Sequence, residues 1–351
     1  MKRILAPAVL ALMLLAGPPP AANAATLALH ETGSTLLYPL FRLWAAAYAA
    51  ANPGTTITTG ATGSGAGIAE AIAGRVQIGA SDAYMSDQEA ERDRQILSIA
   101  LAISAQTVNY NLPPLNGSHL RLDGPVLAAI YGGRVRMWDA PAIAGMNQGV
   151  SLPHRAIVPI RRSDASGDTF IFTQFLDFST SEWDYAVGYG TTVQWPKLTS
   201  MLTATGNEGM VKALAATPGS IAYVGISFQD AIRQARLGTA MLKSQAGQFL
   251  LPSTETVTAG ASELDPRTPP DERLSLVFAP GENAYPLINY EYAIVSARQR
   301  NPATAAAIRN FLLWAVAVEG GNAPKFLDAV HFIPLPDFIR ALSENQINRI
   351  R

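Results

Sequence analysis

The sequence predicts an α/β protein with mainly parallel sheets, in which the chain forms two lobes. From residue 25 onward, short runs of β-forming residues alternate with longer runs at helical spacing. The chain has 351 residues, which is long for one hydrophobic core and favours two lobes. It has no cysteine, which excludes disulfides, thiolate metal sites and lipid attachment at an N-terminal cysteine.

The N-terminal segment has the features of a secretory signal peptide. Lys2 and Arg3 precede an apolar run at residues 4–16, and residues 22–24 (Ala-Asn-Ala) provide small side chains for cleavage. The apolar run has about 13 residues, whereas roughly 20 are needed to span a bilayer as a helix. We therefore expect cleavage after Ala24 and export to the periplasm or out of the cell; a buried N-terminal helix is the alternative.

The first predicted strand, residues 27–30, leads through a polar turn into a helix with one apolar face. The turn is residues 33–36, Gly-Ser-Thr-Leu, and residues 52–54, Asn-Pro-Gly, end the helix. Such a turn points unpaired N–H groups outward at the positive end of the helix dipole. The apolar face, which we expect to pack in the core, consists of Leu37, Leu40, Phe41, Trp44 and Tyr48.

Two more loops precede predicted helices. They are residues 60–67, Gly-Ala-Thr-Gly-Ser-Gly-Ala-Gly, and residues 163–169, Ser-Asp-Ala-Ser-Gly-Asp-Thr, which follow Arg162. Each loop alone is consistent with simple helix capping, but three together favour an anion-binding cleft. The acidic residue of a dinucleotide site and the Gly-Lys-Ser/Thr of a nucleotide loop are missing. A small tetrahedral anion therefore fits better than a nucleotide.

Asp82, in the sequence Gly-Ala-Ser-Asp, suggests how such an anion could be selected. A carboxylate repels an anion unless a ligand proton lies between them. Asp82 would therefore accept a hydrogen bond from hydrogen phosphate and reject fully ionised sulfate. The alternative, a helix N-cap, is equally consistent with the sequence.

The C-terminal third contains one polar segment and one clear helix. Residues 253–273 are rich in Thr, Ser, Pro and Asp, which predicts a surface excursion. Asn301 and Pro302 are a typical cap and first residue of a helix. Its apolar residues, which we expect to pack on a sheet, are Ile308, Phe311, Leu312 and Trp314.

Charge and motifs also exclude several function classes. The 26 Lys and Arg residues balance 27 Asp and Glu residues, so the chain lacks the basic footprint of a nucleic-acid-binding protein. Its histidines have no metal-ligand spacing, and no Gly-x-Ser-x-Gly elbow is present. We expect surface or packing roles for the four histidines, His30, His119, His154 and His331. We also expect that the protein uses no cofactor or metal and has no enzymatic activity. A phosphate-ester hydrolase and a binder of arsenate remain the alternatives.

The order of these segments resembles the PstS family, the phosphate-binding proteins of the phosphate-specific ABC transporter, over nearly the whole mature chain. Besides the Gly-Ser-Thr turn, the Gly-Ser-rich loop and Gly-Ala-Ser-Asp, the shared motifs include Arg-Arg-Ser-Asp-x-Ser-Gly at residues 161–167. Ile-Tyr-Gly-Gly-Arg-Val-Arg-Met-Trp-Asp at residues 130–139 and Pro-Gly-Ser-Ile-Ala-Tyr-Val at residues 218–224 complete the set.

The resemblance implies a type II periplasmic binding protein fold with a ligand cleft between two lobes. Lobe I would comprise residues 25–112 and 286–351, and lobe II residues 113–285. The chain would cross between them near residues 109–114 and 285–290, which permits hinge closure. The implied function is capture of inorganic phosphate and its delivery to membrane permease subunits, by a protein that we expect to be a monomer.

The resemblance also assigns roles to single residues. Lobe I would bind phosphate through the Thr35 hydroxyl, the Leu36 amide and the Ser64 hydroxyl and amide, with Asp82 accepting the ligand proton. Lobe II would use Arg162, held by Asp164, together with donors at a helix N-terminus. The implied lobe II ligands are Arg162, Ser166, Gly167 and Asp168.

Asp168 is a departure from the family pattern, which continues Ser-Gly-Thr at this point. We expect its backbone N–H to serve the ligand and its side chain to turn outward, as a helix-start acid interacting with the dipole. If the side chain faced the ligand instead, a second carboxylate would demand a second proton. The protein would then prefer dihydrogen phosphate.

Overall fold

The structure is a computed structural model that describes residues 27–351. The predicted signal peptide and its cleavage site therefore lie outside the described residues. The described strands are β1 (Leu27–Gly33), β2 (Thr55–Thr58), β3 (Ile78–Ser81), β4 (Ile96–Tyr110), β5 (Arg121–Leu122), β6 (Val158–Arg162), β7 (Leu202–Ala204), β8 (Ser220–Gly225), β9 (Gly238–Thr239), β10 (Met241–Lys243), β11 (Phe249–Leu250) and β12 (Ile288–Ser296).

The helices alternate with these strands, which confirms the predicted α/β class. They are α1 (Tyr38–Ala51), α2 (Ser64–Ile72), α3 (Asp87–Arg92), α4 (Gly124–Tyr131), α5 (Pro141–Ala144), α6 (Gly167–Ser179), α7 (Ser181–Ala186), α8 (Gly206–Ala216), α9 (Gln229–Gln234), α10 (Thr254–Leu264), α11 (Pro302–Val316), α12 (Pro324–Leu327) and α13 (Asp337–Ile347). None of those in residues 27–351 combines the length and apolar character that a membrane crossing requires.

One sheet of nine strands connects both halves of the molecule. Its order is β2-β1-β3-β12-β4-β8-β6-β7, with β9 also paired to β4, and β11-β10-β5 form a small second sheet. The outer strands pair in parallel, as predicted. The centre is antiparallel, because β4 and β12 run against each other and against their outer neighbours. The main sheet is therefore mixed.

The long strand β4 links the two lobes. It pairs with β12 up to Ala105 and with β8 from Gln106 onward. This change of partner lies N-terminal to the segment where we expected the first crossing. The division into residues 25–112 with 286–351 and residues 113–285 stays a prediction.

The two helices predicted most clearly from the sequence form and are buried as expected. The apolar face of α1 packs on α11, with the rings of Tyr48 and Phe311 5.1 Å apart and those of Phe41 and Phe311 6.1 Å apart. The Asn301 side chain accepts a hydrogen bond from Thr304 N at 2.8 Å, which caps α11. This cluster stabilises the lobe I side of the sheet.

The prediction of a surface excursion at residues 253–273 is wrong for residues 254–264, which form α10. Ser253 caps α10 through a capping box with Thr256, and the face of α10 containing Val257 and Ala261 is buried. A Cβ on Gly260 would approach the Ile288 side chain to 2.7 Å, so the helix lies tightly on β12. Ser and Thr act here as helix-start residues rather than as loop residues.

Candidate anion-binding site

The turn after β1 contains Ser34, whose side chain connects the start of α1 to Asp82. The Ser34 hydroxyl accepts hydrogen bonds from Leu36 N at 3.0 Å and Leu37 N at 2.9 Å, which satisfies the start of α1. The same hydroxyl donates to Asp82 Oδ1. The amide of Leu36, expected to face the ligand, is therefore occupied by Ser34 in this structure.

Asp82 follows β3 and is 2% exposed. Its Oδ2 accepts a hydrogen bond from Ser64 Oγ at 3.2 Å, and its backbone N–H donates to that hydroxyl oxygen at 3.1 Å. Ser64 is the first residue of α2. The alternative role of Asp82 as a helix cap is wrong, because the helix that follows, α3, is capped by Ser86.

Arg162, predicted to belong to lobe II, lies at the end of β6. Its Nε donates to Asp164 Oδ1 at 2.8 Å, its Nη2 pairs with Asp164 Oδ2, and its Nη1 pairs with Asp168 Oδ2 at 2.6 Å. The Arg162 side chain is only 1% exposed. Asp164 therefore fixes the guanidinium in place, as the resemblance implies.

The prediction that the Asp168 side chain turns outward is wrong. Besides Arg162, its Oδ2 accepts from Asn207 Nδ2 at 2.7 Å, and its Oδ1 accepts from Gln106 Nε2 at 3.0 Å. The residue is fully buried. The charged donor Arg162 and the amide donors of Asn207 and Gln106 stabilise the buried carboxylate more than exposure at a helix start would.

Ser166 and Gly167 form the start of α6 and bring it against lobe I. The Ser166 hydroxyl accepts from Thr169 N and caps the helix. A Cβ on Gly167 would come within 2.4 Å of Asp82 Oδ2 and 2.5 Å of Ser64 Oγ. The N-terminus of α6 thus lies directly against the Asp82 carboxylate, in a place where a β-carbon would clash.

Further hydrogen bonds join the two walls of this site. Asn207 Nδ2 and N donate to Thr35 Oγ1 at 3.0 and 3.2 Å, and Gly65 N donates to Ala165 O at 3.0 Å. Thr35 is 7% exposed. The cleft is therefore closed, with the predicted residues from both lobes in one buried cluster.

Burial and neighbouring charges shift the pKa values of this cluster. Burial first, and the Asp168 charge second, raise the pKa of Asp82 to about 7. Burial also raises the pKa of Asp168, although Arg162 opposes the shift. For Asp164, the hydrogen bond and charge of Arg162 outweigh burial and lower the pKa. The carboxyl groups near the cleft therefore differ in how readily they take a proton.

Sequence reasoning missed four side chains of this cluster. Ser34 lies in a turn that was singled out, but its contact with Asp82 was not foreseen. Gln106 and Glu291 are polar residues inside apolar strands, which is a signal for a buried function. Asn207 follows Gly206, whose φ of 65° at the start of α8 marks a special turn. No group of metal-binding side chains is present among residues 27–351.

A two-lobed fold with a buried anion-binding cleft defines the class of substrate-binding proteins, and comparisons with known proteins agree. The family model of the PBP superfamily domain matches residues 18–319. The phosphate-binding protein PstS of Xylella fastidiosa, strain Temecula1, is 32% identical over 319 residues, which cover 91% of this chain and 84% of that protein.

Solved structures share the fold at low sequence identity. A phosphate-binding protein from Stenotrophomonas maltophilia has a TM-score of 0.69 at 20% identity, covering 91% of this chain and 93% of that one. An ABC-type phosphate transport receptor from Vibrio cholerae has a TM-score of 0.57 at 16% identity, covering 88% of this chain and all of the other. The chain belongs to the PstS family of phosphate-binding proteins.

Proposed function

We propose that this protein captures inorganic phosphate between its two lobes and delivers it to the membrane permease of an ABC transporter. The observation that carries the proposal is the contact of the Asp82 carboxylate with the α6 N-terminus at Gly167, beside Arg162 and the hydroxyls of lobe I. The site thus combines several hydrogen-bond donors with the acidic acceptor Asp82.

This combination suits hydrogen phosphate. Its unprotonated oxygens accept hydrogen bonds from helix-start amides, from hydroxyls and from the guanidinium. Its P–OH group donates to a carboxylate such as Asp82, which sulfate cannot do. Arsenate protonates as phosphate does and should compete, whereas sulfate should not.

The inward Asp168 changes which form of phosphate the site prefers. Asp164 and Asp168 pair with the Arg162 guanidinium, and Asp82 is close enough for the Arg162 and Asp168 charges to shift its pKa. Negative charge is in excess, so each further negative charge on the ligand is repelled. We infer that the protein binds dihydrogen phosphate more tightly than the dianion, or takes up a proton when the dianion binds.

The relatives support transport rather than catalysis. They are named as phosphate-binding proteins or transport receptors. We infer that the chain is exported to the periplasm with its signal peptide removed after Ala24, that it acts as a monomer, and that it has no catalytic activity or cofactor. The outer faces of the two lobes would contact the permease.

Equilibrium dialysis of the mature protein with labelled phosphate tests the proposal. We expect saturable binding of one phosphate per chain, competition by arsenate, and none by sulfate. Incubation with nitrophenyl phosphate should release no nitrophenol. Absence of phosphate binding would refute the proposed function, and steady release of nitrophenol would favour the hydrolase alternative.

A further inference from the structure

A second buried carboxyl group lies next to Asp82. It belongs to Glu291 in β12, which is fully buried. Its Oε1 accepts hydrogen bonds from Ser104 Oγ at 2.6 Å and Asn289 Nδ2 at 3.0 Å. Asn289 Nδ2 also donates to the backbone oxygen of Asp82 at 3.1 Å. The two acidic residues are therefore held together by one network.

The second oxygen of Glu291, Oε2, has no hydrogen-bond donor among the described residues. Glu291 and Asp82 are neighbours, because Tyr292 pairs with Ser81 between β12 and β3 and because Asn289 Nδ2 donates to both acidic residues. A buried anionic oxygen without a donor is destabilising, and two adjacent carboxylates also repel each other. One proton shared by the pair removes both costs.

The contacts indicate which residue carries this proton. Asp82 receives hydrogen bonds from the hydroxyls of Ser34 and Ser64, which stabilise a carboxylate. Oε2 of Glu291 receives none from residues 27–351. Burial first, and the Asp82 charge second, raise the pKa of Glu291 well above its ordinary value. The proton therefore resides on Glu291, with Asp82 as its acceptor.

We propose that Glu291 is a positioning and specificity-determining residue: as a neutral acid it donates a hydrogen bond to Asp82, which keeps Asp82 an anionic acceptor for the proton of the ligand. The ligand half of this proposal rests on the proposed function. Without the donor, Asp82 would more readily become protonated. A protonated Asp82 would offer a donor itself and would admit sulfate.

Charges on both sides of the cleft act on this pair. The Arg162 charge favours the ionised form of Asp82, and the Asp168 charge disfavours it. The remaining neighbours are neutral donors from β1–α1, α2, β4 and β12. Those groups are Ser34, Ser64, Ser104 and Asn289.

Selectivity in two variants tests the role of the donor. Glu291→Met keeps an unbranched side chain but removes the donor, and the ratio of sulfate to phosphate dissociation constants at neutral pH should fall about tenfold or more. Glu291→Gln supplies an amide donor and should restore most of the ratio. If both variants keep the wild-type ratio, Glu291 only fills space and the specificity role is wrong.

Infrared spectroscopy without ligand tests the proton directly and does not depend on phosphate binding. In the difference spectrum at neutral pH, wild type minus Glu291→Gln, the protonated-carboxyl band of Glu291 should appear. Replacement of the exposed Glu282 by Gln serves as the control and should lose no such band. An unchanged band in Glu291→Gln would overturn the inference even if the protein binds phosphate. If the Glu291 band is present but the protein does not bind phosphate, only the proposed function and the specificity role of Glu291 are refuted.

Discussion

Asp168→Asn should change how phosphate binding depends on pH. The substitution removes one buried negative charge and keeps the shape of the side chain. Arg162 remains paired with Asp164, so the guanidinium does not become a buried unpaired charge. The side-chain oxygen of Gln106 has no donor among residues 27–351, so the Gln106 amide can rotate and accept from the amide that the substitution introduces, with loss of its hydrogen bond to the Asp168 backbone oxygen.

The size of the effect follows from the distances at Arg162. Its Nη1 lies 2.6 Å from Asp168 Oδ2. A ligand on the same guanidinium would have its centre about 5 Å from that carboxylate, which gives about 3 kcal/mol of repulsion per ligand charge at an effective dielectric of about 20. The positive charge of Arg162 offsets part of this repulsion between the ligand and Asp168. We expect Asp168→Asn to bind the phosphate dianion about 10- to 100-fold more tightly.

Calorimetry at acidic and mildly alkaline pH, in buffers with different ionisation enthalpies, measures both affinity and proton uptake. Wild-type protein should bind phosphate more tightly in acid and take up protons when it binds in alkali. Asp168→Asn should flatten the pH profile and reduce the uptake. Asp177→Asn, the same charge change on α6 but outside the site, is the matched control. Identical pH profiles for the wild type and Asp168→Asn would refute the reasoning.

Two other substitutions test cleft closure and buried charge. Gly167→Ala should weaken phosphate binding at least 100-fold by dialysis, because a methyl group 2.4 Å from Asp82 Oδ2 prevents closure. Gly117→Ala, with no atom within 4 Å, should bind normally; equal binding by both would contradict a closed site at this contact. Burial raises the pKa of Glu272 to about 7, so the contribution of Glu272 to the free energy of unfolding should be fully present below the ordinary carboxyl pKa and be lost as pH rises toward 7. The loss should be about 3 kcal/mol. In Glu272→Gln the new amide can donate to Ser343. Urea unfolding at several pH values should show that this variant has lost most of the pH dependence of the unfolding free energy. An unchanged pH dependence would exclude Glu272 as its source.

The sequence predicted those parts of the fold that depend on local pattern. The faces of α1 and α11 follow from helical spacing and from a capping Asn with a following Pro, and both are observed. Helix α10 was missed because its Ser and Thr residues resemble loop composition. Its burial depends on packing against the Ile288 side chain of β12, which is distant in sequence.

The site was predictable where its residues lie in contiguous motifs. The loops that carry Ser64, Asp82 and Arg162 meet in one cluster. The orientation of Asp168 was not predictable, because its partners Gln106 and Asn207 are 62 and 39 residues away in the chain. Glu291 was not predicted for the same reason, because only the pairing of β12 with β3 brings it to Asp82.

The central claim is that the Asp82 carboxylate recognises a proton on the bound anion. Its most direct test is the ratio of sulfate to phosphate dissociation constants, measured by calorimetry for the wild type and for Asp82→Asn. The account predicts a large ratio for the wild type and a ratio near one for the variant, since an amide can donate to sulfate. A wild-type ratio near one, or an unchanged ratio in Asp82→Asn, would contradict it.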